Sequence, residues 1–214
     1  DQKIVNDLQQ SRTSFEEELD VVVGKHSDTE TVEKLVNEWS QVDNNIELIV
    51  GQQQTINQLQ GLGLQITEAV PGIQSEYNLL VDEMTRSGYS ASQVALAKNQ
   101  VYLSERILRS INAVLTGDTN SVEYADNFNA DTLTFGEYIN GQLNGSAEYG
   151  VVRIAEPDLR DILEGIKTEY DEVLKATAAK VLSDSAKLLA VRQATSTIFT
   201  QTDNVTTQLE ELSD

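Results

Sequence analysis

The sequence contains no cysteine, and His26 is the one histidine among its 214 residues. Without cysteine, the chain has no disulfide scaffold, no thiolate nucleophile and no zinc ribbon. One histidine cannot form a multi-histidine metal site, and a serine–histidine–aspartate triad would have to use this one residue. His26 lies in a polar stretch and is expected to be exposed. We therefore predict no catalytic residue, no metal, no cofactor and no enzymatic activity.

Proline is also scarce, with Pro71 and Pro157 the two present. Long stretches without proline favour long helices over a loop-rich β protein. No run of about 18 apolar residues occurs, so nothing in the sequence is expected to span a membrane. Because the chain lacks an initiator methionine and a signal peptide, residues 1–214 are expected to be a domain of a larger protein.

Basic residues are few, with 15 Lys and Arg against 35 Asp and Glu, for a net charge of −20. A chain this acidic repels phosphate backbones, which argues against nucleic-acid binding. The same charge opposes adhesion to an anionic bilayer surface.

Apolar residues recur at spacings of three and four along most of the chain, which predicts amphipathic helices. A first helix is expected over about 2–23, and a second opens near Asp28 or Thr29, either of which can cap it. Glycines and Pro71 within 52–72 predict two short helical pieces with a kink or crossing. The other predicted helices are 73–86, 90–115, 121–144, one that begins at Pro157, and 183–212.

Three of these predicted helices carry well-defined apolar lines. The first helix has Ile4, Leu8, Phe15, Leu19 and Val22. The helix over 90–115 has two adjoining lines, expected of a helix in the middle of a bundle: Val94, Ala97, Val101, Ser104, Leu108, Ile111 and Leu115, and Leu96, Leu103, Ile107 and Val114. The last helix has a seam thinned with threonines: Val191, Thr195, Ile198, Thr202, Val205, Leu209 and Leu212.

One sequence offset recurs within the chain. An I-x-x-E-Y motif at Ile73 returns at Ile166, 93 residues later, and an L-A-x-x-Q motif at Leu96 returns at Leu189 with the same offset. A constant offset across two motifs predicts related helical modules, with copies at about 73–100 and 166–193. The expected fold is all-α: an elongated, antiparallel helical bundle of two stacked four-helix-bundle-like modules that share long helices.

Several segments resemble a known receptor family. The longest is QVALAKNQVYLSERILRSINAVLTGD at 93–118. The others are VPGIQSEY at 70–77, TFG at 134–136, NGQLNG at 140–145 and VRQA at 191–194. Together they resemble the sensor modules of PilJ-type methyl-accepting chemotaxis transducers of type IV pili, most closely from about residue 70 onward.

The resemblance implies a periplasmic sensor region of a bacterial inner-membrane receptor, with membrane helices flanking it. It also implies control of pilus extension and retraction, and so of twitching motility and surface sensing. The implied partners are a pilin subunit or another envelope component outside the membrane, a second receptor copy, and a CheW-like adaptor with a CheA-like kinase in the cytoplasm.

Two other classes remain open on the sequence. Helices rich in Gln, Asn, Ser and Thr, with the segment RSINAVLTG at 109–117, also suit a flagellin-like filament or adhesin subunit. The sensor domain of a histidine kinase would share the expected fold. A filament subunit would polymerise through its termini, whereas a sensor would stay monomeric or weakly dimeric.

The candidate ligand-binding residues are Gln100, Ser104, Arg106 and Arg109 in the helix over 90–115. Arginines bind small anions, and a polar residue inside an apolar seam either contacts a ligand or sets helix register. Gln100 and its repeat Gln193 could equally form a structural hydrogen bond in both modules. Both interpretations remain open on the sequence.

Overall fold

The computed structural model describes residues 2–25 and 30–213, with side chains over 3–25 and 30–209. His26 and the expected helix cap at Asp28 or Thr29 lie outside the described residues. Within the described ranges the chain forms six α-helices and one π-helix. Their bounds are α1 Gln2–Lys25, α2 Glu30–Arg86, α3 Ala91–Leu115, α4 Ser121–Asn144, α5 Pro157–Glu169, the π-helix Tyr170–Lys175 and α6 Ala176–Ser213.

The predicted all-α helical bundle is confirmed. The β-type pairing in the described chain is one antiparallel bridge between Ser146 and Val151, in the loop before α5. None of the described helices combines the length and apolar character needed to cross a membrane.

Most helix ends follow the local signals in the sequence. Ser90 caps α3 by accepting a hydrogen bond from the backbone N–H of Gln93, and Pro157 occupies the first turn of α5. Gly88, Gly117 and Gly145 follow α2, α3 and α4 with positive φ angles, where a side chain would be strained.

The prediction of two short pieces over 52–72 is wrong, because α2 is one helix of 57 residues that contains Pro71. The buried line continues through this region at spacings of three and four. Its members are Leu59, Gly63, Ile66, Val70, Ile73, Tyr77, Leu80 and Met84. Pro71 costs about 3 kcal/mol inside a helix, whereas each fully buried large apolar side chain contributes about 1.5–3 kcal/mol. Burial along the line therefore outweighs the helix breaker.

The chain divides into two compact units, and α2 and α6 contribute residues to both. Unit 1 comprises residues 1–56 and 187–214. Its described part holds three helical segments, one fewer than expected for each module. Leu19, Leu35 and Val205 form its buried centre, and the rings of Phe15 and Trp39 lie 4.1 Å apart at their centroids.

Arg12 links α1 to α2 within unit 1. Its guanidinium donates to Asp43 Oδ2 at 2.9 Å and to Glu47 Oε1 at 3.1 Å. On the other side of α2, Gln201 of α6 donates its amide hydrogen to Gln41 Oε1 at 2.6 Å. Polar contacts thus join both neighbouring helices to α2 around the apolar centre.

Unit 2 comprises residues 57–186 and has four helical segments. They are the C-terminal part of α2, the whole of α3, the whole of α4, and α5 continued through the π-helix into the start of α6. Helices α2 and α3 approach closely at Gly63, where an added Cβ would lie 2.1 Å from Leu115 Cδ1. The buried line of α3 runs between the two predicted lines and takes members from both. It consists of Ala97, Gln100, Ser104, Ile107, Ser110, Ile111 and Val114.

The predicted seams of α1 and α6 need correction. In α1, Ile4 is 65% exposed and its neighbour Val5 is buried. In α6, Thr195 and Thr202 are exposed, and their hydroxyls donate to the carbonyls of Val191 and Ile198 one turn earlier. The buried or half-buried line of α6 in unit 1 is Val191, Ala194, Ile198, Gln201, Val205, Gln208 and Leu209. Leu209 packs on the centre of unit 1, as the predicted seam has it, and the side chain of Leu212 lies outside the described residues. A threonine hydroxyl can form its hydrogen bond within its own helix and so does not need a partner helix. The position of these threonines in a 3-4 repeat therefore did not indicate that they face a neighbouring helix.

The π-helix begins at Tyr170, whose ring packs on Gly136 of α4. A Cβ added at Gly136 would lie 2.1 Å from Tyr170 Oη and 2.3 Å from Cζ. Gly136→Ala is therefore expected to lower the free energy of unfolding by about 1–3 kcal/mol through overpacking. Urea denaturation of the purified chain measures this change.

Gly61→Ala is the matched control, because no atom lies within 4 Å of a Cβ added at that helical glycine. The control is expected to raise the free energy of unfolding by about 0.5–1 kcal/mol through helix propensity. Equal effects of the two substitutions would contradict the close contact between Tyr170 and Gly136.

Candidate functional site

The four candidate ligand-binding residues lie on two faces of α3. Gln100 and Ser104 are buried in the core of unit 2, whereas Arg106 and Arg109 are exposed. Because successive residues of an α-helix are rotated by about 100°, positions 106 and 109 point well away from positions 100 and 104. The structure therefore brings together the two arginines and separates them from the two buried polar residues.

The arginines line a groove of about 490 Å³ between α3 and α4. Its lining residues are Arg106, Arg109, Ser110 and Ala113 from α3, and Tyr124, Asn127 and Asp131 from α4. Arg106 Nη2 donates to Asp131 Oδ1 at 2.8 Å and so joins the two helices across the groove. The groove combines charges of both signs with neutral groups that can donate and accept hydrogen bonds.

Asp131 is the buried charged residue of this groove, with 7% of its surface exposed. Its Oδ2 atom is buried and has no hydrogen-bond partner among the described residues. Burial raises the pKa of the Asp131 carboxyl above its ordinary value of 3.8, although the Arg106 charge lowers it. Desolvation of the carboxylate is the larger of these two effects.

Gln100 and Ser104 have surroundings of another kind. Ser104 donates its hydroxyl hydrogen to the carbonyl of Val101 at 2.8 Å, within α3. Gln100 Oε1 is buried without a hydrogen-bond partner among the described side chains and backbone groups. Both residues belong to the buried line of α3, where polar side chains restrict which helix registers are acceptable.

The sequence-based candidates did not include Asp131, Tyr124 or Asn127. A usable signal was present for Asp131, which lies three residues after Phe128 and four before Phe135, inside the buried line of α4. The argument that singled out Ser104 applies equally to a carboxylate inside an apolar line. Tyr124 and Asn127 carried no such signal, because only the packing of α4 on α3 places them in the groove.

Equivalent positions of the predicted repeat meet in a second, smaller cavity of about 170 Å³. It is lined by Gly72, Ile73 and Glu76 of α2 and by Gly165, Ile166 and Glu169 of α5. Each residue of the first set matches one of the second at the offset of 93. Ile73 and Ile166 are buried, whereas Glu76 and Glu169 are exposed, so the two glutamates form a rim around an apolar contact.

The tyrosines of the repeated motif flank one phenylalanine of α4. The centroid of Phe135 lies 5.5 Å from that of Tyr77 and 5.9 Å from that of Tyr170. Tyr77 also donates its hydroxyl hydrogen to Gln142 Oε1 at 3.0 Å, and burial raises the pKa of Tyr77. The aromatic cluster of Tyr77, Phe135 and Tyr170 therefore connects α2, α4 and the π-helix.

Asp131 should make the stability of the protein depend on pH. Since its folded-state pKa is raised, the folded state binds more protons than the unfolded state between the two pKa values. The wild type should therefore lose stability relative to Asp131→Asn as pH rises from 3.8 through the higher folded-state pKa of Asp131. Urea denaturation of both proteins across this range tests the sign, and parallel pH profiles would contradict it.

Comparison with known proteins places the chain among chemotaxis transducers. It matches no protein-family model. It is 30% identical over 199 residues to a protein of Alcanivorax borkumensis named for methyl-accepting chemotaxis, AlkN, covering 92% of this chain and 30% of that protein. It is also 30% identical over 217 residues to PilJ of Pseudomonas aeruginosa, covering 97% of this chain and 32% of that protein.

The chain spans about a third of the length of these curated relatives. The two alignments cover at least 92% of this chain, and its described elements are all helices. On this similarity, the chain is a PilJ-like chemotaxis transducer domain.

Proposed function

We propose that the chain is the periplasmic sensor domain of a bacterial inner-membrane receptor of the methyl-accepting chemotaxis type. The observation that carries the proposal is the 30% identity of this chain to two chemotaxis proteins, over at least 92% of its length. The described residues are almost wholly helical, and displacement between packed helices is one way in which a receptor passes on a signal. The receptor would control type IV pili, twitching motility and surface sensing, and the domain itself would have no enzymatic activity.

The signal would pass through helix displacement. Helices α2 and α6 contribute residues to both units, so a change of packing in either unit acts on these two helices. Packed helices move between discrete arrangements, with shifts of about 1–2 Å being common in receptors and other switching proteins. A movement of α2 or α6 of this size is enough to bias a coiled coil further along the receptor.

The proposed partners fall on the two sides of the membrane. Outside it, the domain would meet the major pilin or another envelope component, and a second receptor copy would pair with it. A CheW-like adaptor and a CheA-like kinase would bind cytoplasmic parts of the receptor. The filament or adhesin subunit and the histidine-kinase sensor domain gain no support from the two relatives, which are transducers.

The proposed location can be tested with a single cysteine, because the chain contains none. Ser87→Cys, in the exposed turn between α2 and α3, adds one accessible thiol. In full-length receptor, a thiol reagent that cannot cross the inner membrane is expected to label this variant in cells with a permeabilised outer membrane. The unsubstituted receptor measures background labelling, and labelling that requires cell lysis would overturn the periplasmic assignment.

The proposed pilin contact can be tested by calorimetric titration. The purified chain is titrated with the soluble, helix-truncated major pilin of the same organism, and saturable binding is expected. An unrelated helical protein of similar net charge serves as the control for nonspecific electrostatic effects. The absence of saturable heat with the pilin would remove it as a direct ligand of this domain.

A further inference from the structure

The buried positions of α2 in unit 2 follow a strictly regular pattern. They alternate at spacings of four and three, and the helix stays α-helical throughout. The positions are Leu59, Gly63, Ile66, Val70, Ile73, Tyr77, Leu80 and Met84. This alternation averages about 3.5 residues per turn, which is the period of α-helices that pack along one another with a left-handed twist.

The matching line through α5, the π-helix and α6 contains one extra residue. Its buried positions are Leu159, Leu163, Ile166, Tyr170, Leu174, Ala178, Val181 and Ser185. Up to Tyr170, each position lies 93 residues after a buried position of α2. The counterpart of Leu80 would be Val173, but Leu174 is the buried residue. The added step lies inside the π-helix, whose i→i+5 hydrogen bonds form a wider turn that takes up the extra residue.

Beyond the π-helix, α6 buries neighbouring residues in pairs. Thr177 and Ala178 are both buried, and so are Asp184 and Ser185. Ala178 and Ser185 belong to the line that follows the extra residue. Thr177 and Asp184 continue the original alternation, at steps of seven from Tyr170. A rotation of α6 by one residue position, about 100°, would therefore replace two buried residues by neighbours that are already buried.

The buried polar residues of α6 have partners within their own helix. Thr177 donates its hydroxyl hydrogen to the carbonyl of Val173 at 2.8 Å and to that of Leu174 at 3.1 Å. These carbonyls lie near the end of the π-helix, where α-helical hydrogen bonding resumes. Lys180 forms an ion pair with Asp184 one turn later. Neither polar residue depends on a neighbouring helix for these contacts, so a rotation of α6 carries the contacts with it.

The two registers of α6 differ in the apolar surface that they bury. With the extra residue in the π-helix, Leu174 and Val181 lie in the core of unit 2. Without it, Val173 and Lys180 would take these two places. A lysine can extend its ammonium group to the surface, and that of Lys180 is already paired with Asp184. The first register buries more apolar surface and is therefore the resting arrangement.

We propose that the π-helix is a register switch for α6. In the second state it becomes α-helical, and α6 turns by one residue position and advances by about 1.5 Å along its axis. Tyr170, packed on Gly136, anchors the start of the π-helix, so the rotation falls on α6. Because α6 also contributes residues to unit 1, the rotation would serve as the helix displacement of the proposed function, on which this role rests.

Deletion of Glu172 tests the register. This residue is exposed, and its removal restores the alternation found in α2. The variant is expected to unfold cooperatively in urea at a midpoint no lower than that of the wild type. Glu172→Ala removes the same side chain but keeps the chain length, and so isolates the effect of the register.

Deletion of Leu79 is the matched control in a helix without an extra residue. Leu79 is exposed and lies 93 positions before Glu172. Its removal turns Leu80 and Met84 away from the core, so the urea midpoint should fall.

Amide hydrogen exchange tests whether the wild type visits the second register. Conversion between the registers breaks the hydrogen bonds of the π-helix. The amides of 171–177 should therefore exchange about tenfold or more faster in the wild type and in Glu172→Ala than in the deletion variant. The amides of 59–84 in α2 report the global stability of each protein and serve as the reference.

In the full-length receptor, deletion of Glu172 should alter twitching motility at unchanged receptor abundance, because α6 then has a single register. Glu172→Ala should leave twitching motility as it is in the wild type. The side-chain control thus separates the register from the charge of Glu172.

Three results would rule out the register switch. They are a urea midpoint that falls as far without Glu172 as without Leu79, equal exchange at 171–177 in the wild type and the deletion variant, and unchanged twitching motility when Glu172 is deleted from the receptor. Failure of the proposed function has a different signature: a strain without the receptor would twitch as the wild type does. The two measurements on the purified chain would then still decide whether α6 changes register.

Discussion

The packing of Phe135 between Tyr77 and Tyr170 is the contact on which the geometry of unit 2 depends. It fixes the position of α4 relative to α2 and the π-helix, and Gly136 makes it possible by leaving space for the Tyr170 ring. The position of α4 in turn decides where Asp131 meets Arg106, since Asp131 precedes Phe135 by one helical turn. The aromatic contact therefore positions the α4 wall of the groove, and the packing of α3 on α4 supplies the other wall.

Helix ends could be predicted from the sequence because their causes are local. Each helix-end residue acts through its own dihedral angles or through a hydrogen bond within one turn. These residues are Ser90, Gly88, Gly117, Gly145 and Pro157. The continuity of α2 through Pro71 could not be predicted in this way, since it depends on burial against helices that are distant in sequence. The prediction that Thr195 and Thr202 belong to a packed seam of α6 was wrong for a related reason. Spacing alone does not reveal whether a hydroxyl forms its hydrogen bond inside its own helix.

In the candidate site, too, the residues within one helix could be predicted from the sequence, whereas those brought together by helix packing could not. Arg106 and Arg109 were identified from α3 alone, and α3 does place them on one wall of a groove. Grouping them with Gln100 and Ser104 ignored the rotation of about 100° per residue, which sends the two pairs to different faces. Asp131, Tyr124 and Asn127 join the arginines only through the packing of α4 on α3, a contact between segments that no spacing rule connects.

The small cavity between α2 and α5 is lined by equivalent positions of the repeated motif from both helices. Gly72, Ile73 and Glu76 line it from α2, and Gly165, Ile166 and Glu169 line it from α5. A substitution at any of these positions therefore changes the lining of the same cavity as a substitution at its equivalent, so compensating changes should be sought 93 residues away rather than among sequence neighbours.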